Sequence, residues 1–90
     1  MKDLFVVNLF EIYGSLLTEK QREYVNMYYL CDLSLAEISQ NFNISRQSVK
    51  DGLNKSVKIL YGFEEKLKLF NKFEKLSKLE NRKEIEEILF

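Results

Sequence analysis

The residues of this sequence best suited to chemistry stand together in Ser45-Arg46-Gln47-Ser48-Val49-Lys50-Asp51, with Asn54 one turn further on. The chemistry they suit is recognition. Arg and Gln make paired hydrogen bonds to guanine and adenine edges in the major groove of DNA. Ser45, at the start of a helical pattern, puts a hydroxyl and a helix N-terminus where a phosphate is readily held. Lys50, Lys55 and Lys58 follow on the same stretch and reach toward backbone phosphates. The expected roles are Ser45 and Lys50 on phosphates, and Arg46, Gln47 and Asn54 on bases. Catalysis has no comparable support. The chain holds no histidine, which removes Cys/His zinc sites and Ser-His or Cys-His nucleophile pairs. Gly14, Gly52 and Gly62 do not cluster into a phosphate-cradling loop, and no acidic cluster has the spacing of a metal loop. No enzyme, metal site or cofactor is expected.

Recognition residues need a rigid frame, and the apolar spacing predicts one made of helices. Ser34-Leu35-Ala36-Glu37 is a capping box that opens a short helix with Leu35, Ile38 and Phe42 on one face. Asn43 ends that helix, since Asn tolerates the left-handed conformation. Ser45 caps the next, whose inner face is Val49, Leu53, Val57 and Leu60. Two helices joined by Asn43-Ile44 form a helix-turn-helix, with Ile44 wedged in the angle between them. Arg46, Gln47, Lys50, Asp51 and Asn54 are left outside, and Asp51 is placed to pair with Lys55 at i+4.

Upstream, Thr18-Glu19-Lys20-Gln21 is another capping box. It leads a helix with Tyr24, Met27, Tyr28 and Cys31 on one face, and Cys31 is expected there as a small buried hydrophobe. A first helix from about Asp3 to Tyr13 carries Phe5, Leu9, Ile12 and Leu16 as its stripe, widened by Leu4, Val6, Val7 and Phe10. Downstream, Leu60, Phe63, Leu67 and Phe70 are spaced 3, 4, 3 like a coiled-coil seam, and Phe73, Leu76 and Leu79 extend it. Gly62 is a candidate kink, and a break near Asn81 precedes a last segment, Arg82 to Leu89.

The 90 residues carry 14 Lys+Arg and 14 Asp+Glu with 46% hydrophobic residues, a balance that fits one folded domain and excludes a disordered chain. That neutrality is uneven: residues 1–44 hold three net negative charges and residues 45–90 three net positive ones. The positive half begins at the recognition residues. The excess is smaller than a tight DNA binder usually shows. No run of about 18 apolar residues is present, so no membrane insertion is expected. Asn8 and Glu11 interrupt the apolar start, unlike a secretory signal.

Several segments resemble region 4 of bacterial sigma-70-type factors: Leu17-Thr18-Glu19-Lys20-Gln21-Arg22, Tyr28-Tyr29-Leu30, Asp32 through Ile38, and Ile44-Ser45-Arg46-Gln47-Ser48-Val49. Tyr13-Gly14-Ser15-Leu16-Leu17-Thr18-Glu19-Lys20-Gln21 and Ser45 through Asp51 resemble more closely the YlxM family of small bacterial proteins. The resemblance covers roughly residues 8–70. Asn43 stands where Gly is usual in such turns. The resemblance implies an all-α, sigma-region-4-like helix-turn-helix in a cytoplasmic bacterial protein. It also implies a link to the signal recognition particle, beside whose GTPase gene the family's gene tends to sit. The expected organisation is a single helical domain over 1–90, with the helix-turn-helix core at 18–60 and a C-terminal helical extension at 61–90. The expected function is DNA binding in regulation linked to co-translational targeting. Duplex DNA is the expected ligand, with RNA as a variant, and the surplus apolar surface points to a homodimer. The alternative is an interaction module that docks on the signal recognition particle GTPase or its RNA.

Overall fold

A computed structural model describes residues 2–77, and within them every regular element is a helix. Helix α1 spans Leu4–Tyr13 and runs into a tight 3-10 turn at Gly14–Leu16. Helix α2 spans Glu19–Val25 and widens into a π turn at Asn26–Leu30. Helices α3 (Leu35–Phe42), α4 (Arg46–Leu67) and α5 (Leu69–Ser77) follow. No strand occurs among the described residues, and the fold is the all-α helix-turn-helix that the sequence implies. Leu79, Asn81 and the segment Arg82 to Leu89 lie outside the described residues.

The local signals act as their chemistry predicts. Both capping boxes form: Thr18 and Ser34 accept from the backbone N–H three residues on, and Gln21 and Glu37 reach back to the cap N–H. The hydrogen bonds from the backbone and hydroxyl of Ser34 hold the Glu37 carboxyl below its ordinary pKa. Asn43 takes the left-handed conformation at φ 54°, ψ 46° and ends α3.

Two apolar clusters result, and α4 serves both. The first joins Tyr24 of α2, Ile38 of α3 and Val49 and Leu53 of α4, with Phe42 and Ile44 half-buried against them. The second joins Val6, Leu9 and Tyr13 of α1 with Leu17, Val25 and Leu60. Between them Ser56 is fully buried, its hydroxyl donating to the Gly52 carbonyl at 2.7 Å.

Three features differ from the sequence expectation. On α1 the buried residues are Val6, Leu9 and Tyr13, continued by Leu17, whereas Leu16 is 55% and Leu4 63% exposed. The 3-10 turn ends the helical stretch at Leu16, and Leu17, extended at φ -80°, ψ 157°, enters the core in place of Leu16. After Val25 the π turn inserts an i→i+5 hydrogen bond, Cys31 N–H to Asn26 O at 2.9 Å. The added width rotates the following residues off the α2 stripe, so Tyr24 is buried, Met27 and Tyr28 are half-buried, and Cys31 is exposed. Downstream, α4 passes through Gly62 without interruption and ends at Leu67, with Lys68 in the left-handed region. Helix α5 then packs on α1, where the Phe5 and Phe70 rings lie 5.3 Å apart.

A contact with no local sequence signal secures the N-terminus. Lys2 Nζ donates to the Tyr28 and Leu33 carbonyls at 2.7 and 2.8 Å and sits 3.7 Å above the Tyr28 ring. It fastens the loop that leads from the π turn into α3.

The two glycines of α4 provide a paired test. A Cβ on Gly52 would lie 2.6 Å from the Tyr24 ring, so this glycine is what lets α2 and α4 close. A Cβ on Gly62 meets nothing within 4 Å. Gly62→Ala is expected to stabilise the protein by about 1 kcal/mol through helix propensity alone. Gly52→Ala gains the same propensity but forces overpacking, with a typical cost of about 1–3 kcal/mol, so it should lower stability. Urea midpoints moving in opposite directions support this packing, and parallel shifts refute it.

Candidate nucleic-acid interface

The start of α4 is presented by the turn Asn43-Ile44-Ser45. Ile44 N–H bonds the Ser39 carbonyl at 3.1 Å, which closes the end of α3. Ser45 Oγ accepts the Ser48 N–H at 3.0 Å and donates to Ser48 Oγ at 2.9 Å. The Ser45 hydroxyl is thus engaged as the helix cap, and the Ser48 hydroxyl keeps a proton to donate. The first N–H groups of the helix have no intrahelical acceptor and face the same end.

Beyond the cap, Val49 and Leu53 are buried, while Ser45, Arg46, Gln47, Lys50, Asp51 and Asn54 are exposed. At about 100° per residue, Gln47, Lys50 and Asn54 share one outward face. Arg46 is the first helical residue, at the edge of that face beside Lys50. The structure therefore brings all five sequence-derived candidates onto one exposed end of one helix. Asp51 finds a different partner from the expected Lys55: Gln47 Nε2 donates to its Oδ1 at 2.8 Å. That bond orients the Gln47 amide and takes up part of the Asp51 charge.

Two hollows flank Asn54. One, of about 150 Å³, is lined by Tyr28, Tyr29, Leu35, Lys50, Leu53 and Asn54. Burial raises the phenol of Tyr29, which lines this hollow, above its ordinary pKa. The other, about 510 Å³, is open and runs along α4 past Asn54, Lys55, Val57, Lys58 and Tyr61. Sequence reasoning places Tyr28 in the core by spacing and assigns no role to Tyr29 or Tyr61. The π turn that brings Tyr28 and Tyr29 to the hollow has no signature in residue type.

The family profile described as "Putative helix-turn-helix protein, YlxM / p13 like" (UPF0122) matches residues 1–88. The chain belongs to the UPF0122 family. A UPF0122 protein of Halalkalibacterium halodurans is 50% identical over 78 residues, 87% of this chain and 72% of the relative. One from Lactococcus lactis subsp. cremoris is 52% identical over 65 residues, 72% of this chain and 59% of the relative. One from Bacillus cereus is 49% identical over 71 residues, covering 79% and 64%. The chain therefore spans less than two thirds of the length of the Lactococcus and Bacillus relatives. UPF0122 membership and the α3–turn–α4 geometry together make this a helix-turn-helix protein. Among the described residues no helix is long and apolar enough to cross a membrane.

Proposed function

We propose that this UPF0122 protein is a cytoplasmic, non-enzymatic regulator that binds duplex DNA through the start of α4. The observation that carries the reading is the separation of faces on that helix. Val49 and Leu53 are consumed by the core, while Arg46, Gln47, Lys50 and Asn54 project outward together from a fixed, capped end. In the binding mode we infer, the free N–H groups and the Ser48 hydroxyl at the cap hold one phosphate, and Lys50 another. Arg46, Gln47 and Asn54 face base edges. Two copies related by a two-fold axis supply two recognition helices for two half-sites. The link to the signal recognition particle pathway rests on the resemblance to YlxM proteins.

The test is a gel shift at several salt concentrations with duplex DNA. The double variant Arg46→Ala, Gln47→Ala is expected to lose about 1–3 kcal/mol of affinity per paired base contact removed, with its thermal stability unchanged. Lys50→Ala is expected to lower the salt dependence by about one phosphate contact. Equal binding by the double variant and the natural chain would show that α4 is not the reader.

A second reading has its own observation. The open hollow beside Lys55, Lys58 and Tyr61 and the formally neutral chain suit a module that docks on the targeting GTPase or its RNA. Pull-down with that GTPase, unaffected by Arg46→Ala and Gln47→Ala, would favour it.

A further inference from the structure

Helix α4 stops at Leu67 although its sequence gives no reason to stop. Leu60, Phe63, Leu67 and Phe70 carry a continuous helical seam across the end, with neither proline nor glycine at the break. The helix is broken at a single residue, Lys68, at φ 54°, ψ 34°. The other two positive-φ residues described, Asp32 and Asn43, are of the types that tolerate this region. Lys is not. The left-handed state of such a residue is disfavoured about 5- to 30-fold against the right-handed helix.

The break is held from outside the hinge. Glu64 Oε1 accepts the Phe70 N–H at 3.0 Å and the Tyr13 hydroxyl at 2.7 Å, and Glu64 Oε2 accepts the Asn71 N–H at 3.3 Å. The Tyr13 oxygen in turn accepts the Leu69 N–H at 3.1 Å. On either side of the hinge, Leu67 and Phe73 remain 45% and 47% exposed.

We propose that α5 is an exchangeable arm: α4 and α5 straighten through Lys68 into one helix, and α5 docks on α1 of a second copy. The occupant follows from the contacts themselves. Phe70 against Phe5 is remade between copies, so exchange conserves that packing. A one-residue strained hinge is the arrangement that invites such swapping. In the straightened helix the N–H groups of Leu69, Phe70 and Asn71 bond the carbonyls of Glu65, Lys66 and Leu67, so none is orphaned. Lys68 leaves the left-handed region, and Leu67 gains cover where two such helices cross at the two-fold axis. What is given up is the Glu64–Tyr13 cap. The inference rests on the two-fold pairing proposed above and supplies its geometry.

The test uses the full chain and light scattering across a concentration series. The natural chain is expected at twice 10.8 kDa. Lys68→Gly relieves the strain at both hinges, and its dimer dissociation constant should rise roughly 30-fold or more. Glu64→Gln removes the carboxylate that only the unexchanged form uses and should tighten the dimer. As a direct readout, copies with Cys31→Ser and a spin label on Asn71→Cys are mixed with isotope-labelled copies. Broadening of α1 amides in the labelled copies is expected, and its loss in Lys68→Gly. A dimer as tight in Lys68→Gly as in the natural chain overturns exchange while leaving two-fold pairing in place. A mass of 10.8 kDa for both the natural chain and Glu64→Gln overturns both.

Discussion

Ile44→Asp is expected to cost the helix-turn-helix about 3–5 kcal/mol. Ile44 is half-buried against the cluster of Tyr24, Ile38, Val49 and Leu53, in the angle between α3 and α4. Removing a well-packed Ile side chain typically costs about 2–5 kcal/mol. The carboxylate adds a desolvation penalty, reduced because a half-buried position lets it lean toward water. The backbone cannot shift to help, since the Ile44 N–H is bonded to Ser39 and Asn43 is already fixed in the left-handed region. A 90-residue domain has about 5–13 kcal/mol of stability in total. The change should therefore lower the melting temperature by roughly 15–30 °C. Ile44→Val, which keeps the wedge, should cost only about 0.5–1.5 kcal/mol. Melting curves followed by circular dichroism decide it, and an unchanged midpoint for Ile44→Asp would mean that Ile44 does not lock the two helices.

What the sequence discloses and what it hides divides along the range of the interactions. The capping boxes at Thr18 and Ser34, the Ser45 cap and the Asn43 stop are made by residues within three or four positions of one another, so type and spacing suffice to read them. The outward face of α4 is legible for the same reason: Val49 and Leu53 mark the inside, and the helical period assigns Gln47, Lys50 and Asn54 to the outside. The end of α4 is of another kind. Its determinants are Glu64 and Tyr13, separated by 51 residues, and no local pattern around Lys68 announces a break. The apolar row that reads as one long seam is cut by a hydrogen-bond network assembled only in the folded chain. Cys31 fails as a core residue because the π turn changes the period from which its burial is inferred. The fastening of the Tyr28–Leu33 loop by Lys2 is likewise visible only once distant segments meet.

Replacing Tyr13 should produce the other large effect, and two variants separate its parts. Its ring is fully buried, stacks on Phe63 at a centroid distance of 5.9 Å, and belongs to the cluster joining α1 to Leu60 of α4. Its hydroxyl donates to Glu64 and accepts from the Leu69 N–H, which ties the start of α5 to α1 and α4. Tyr13→Ala removes both contributions and is expected to cost about 3–5 kcal/mol, as for other large aromatic deletions. Tyr13→Phe keeps the ring and loses only the hydroxyl, at a cost of about 1–3 kcal/mol, because the Leu69 N–H is left without its acceptor. The pH dependence provides an independent check. Burial, and then the Glu64 carboxylate, raise the Tyr13 phenol above its ordinary 10.0. A folded pKa above the unfolded one means that the stabilisation is complete below about pH 10 and is lost as pH rises through the folded value. The natural chain should therefore lose more stability than Tyr13→Phe on titration above pH 10, with Tyr29 and Tyr61, also raised, contributing equally to both. Chemical denaturation of the two proteins from pH 8 to 11 measures the difference. Parallel losses would show that the hydroxyl carries no net stabilisation, and the latch on α5 would then reside in Glu64 and the backbone alone.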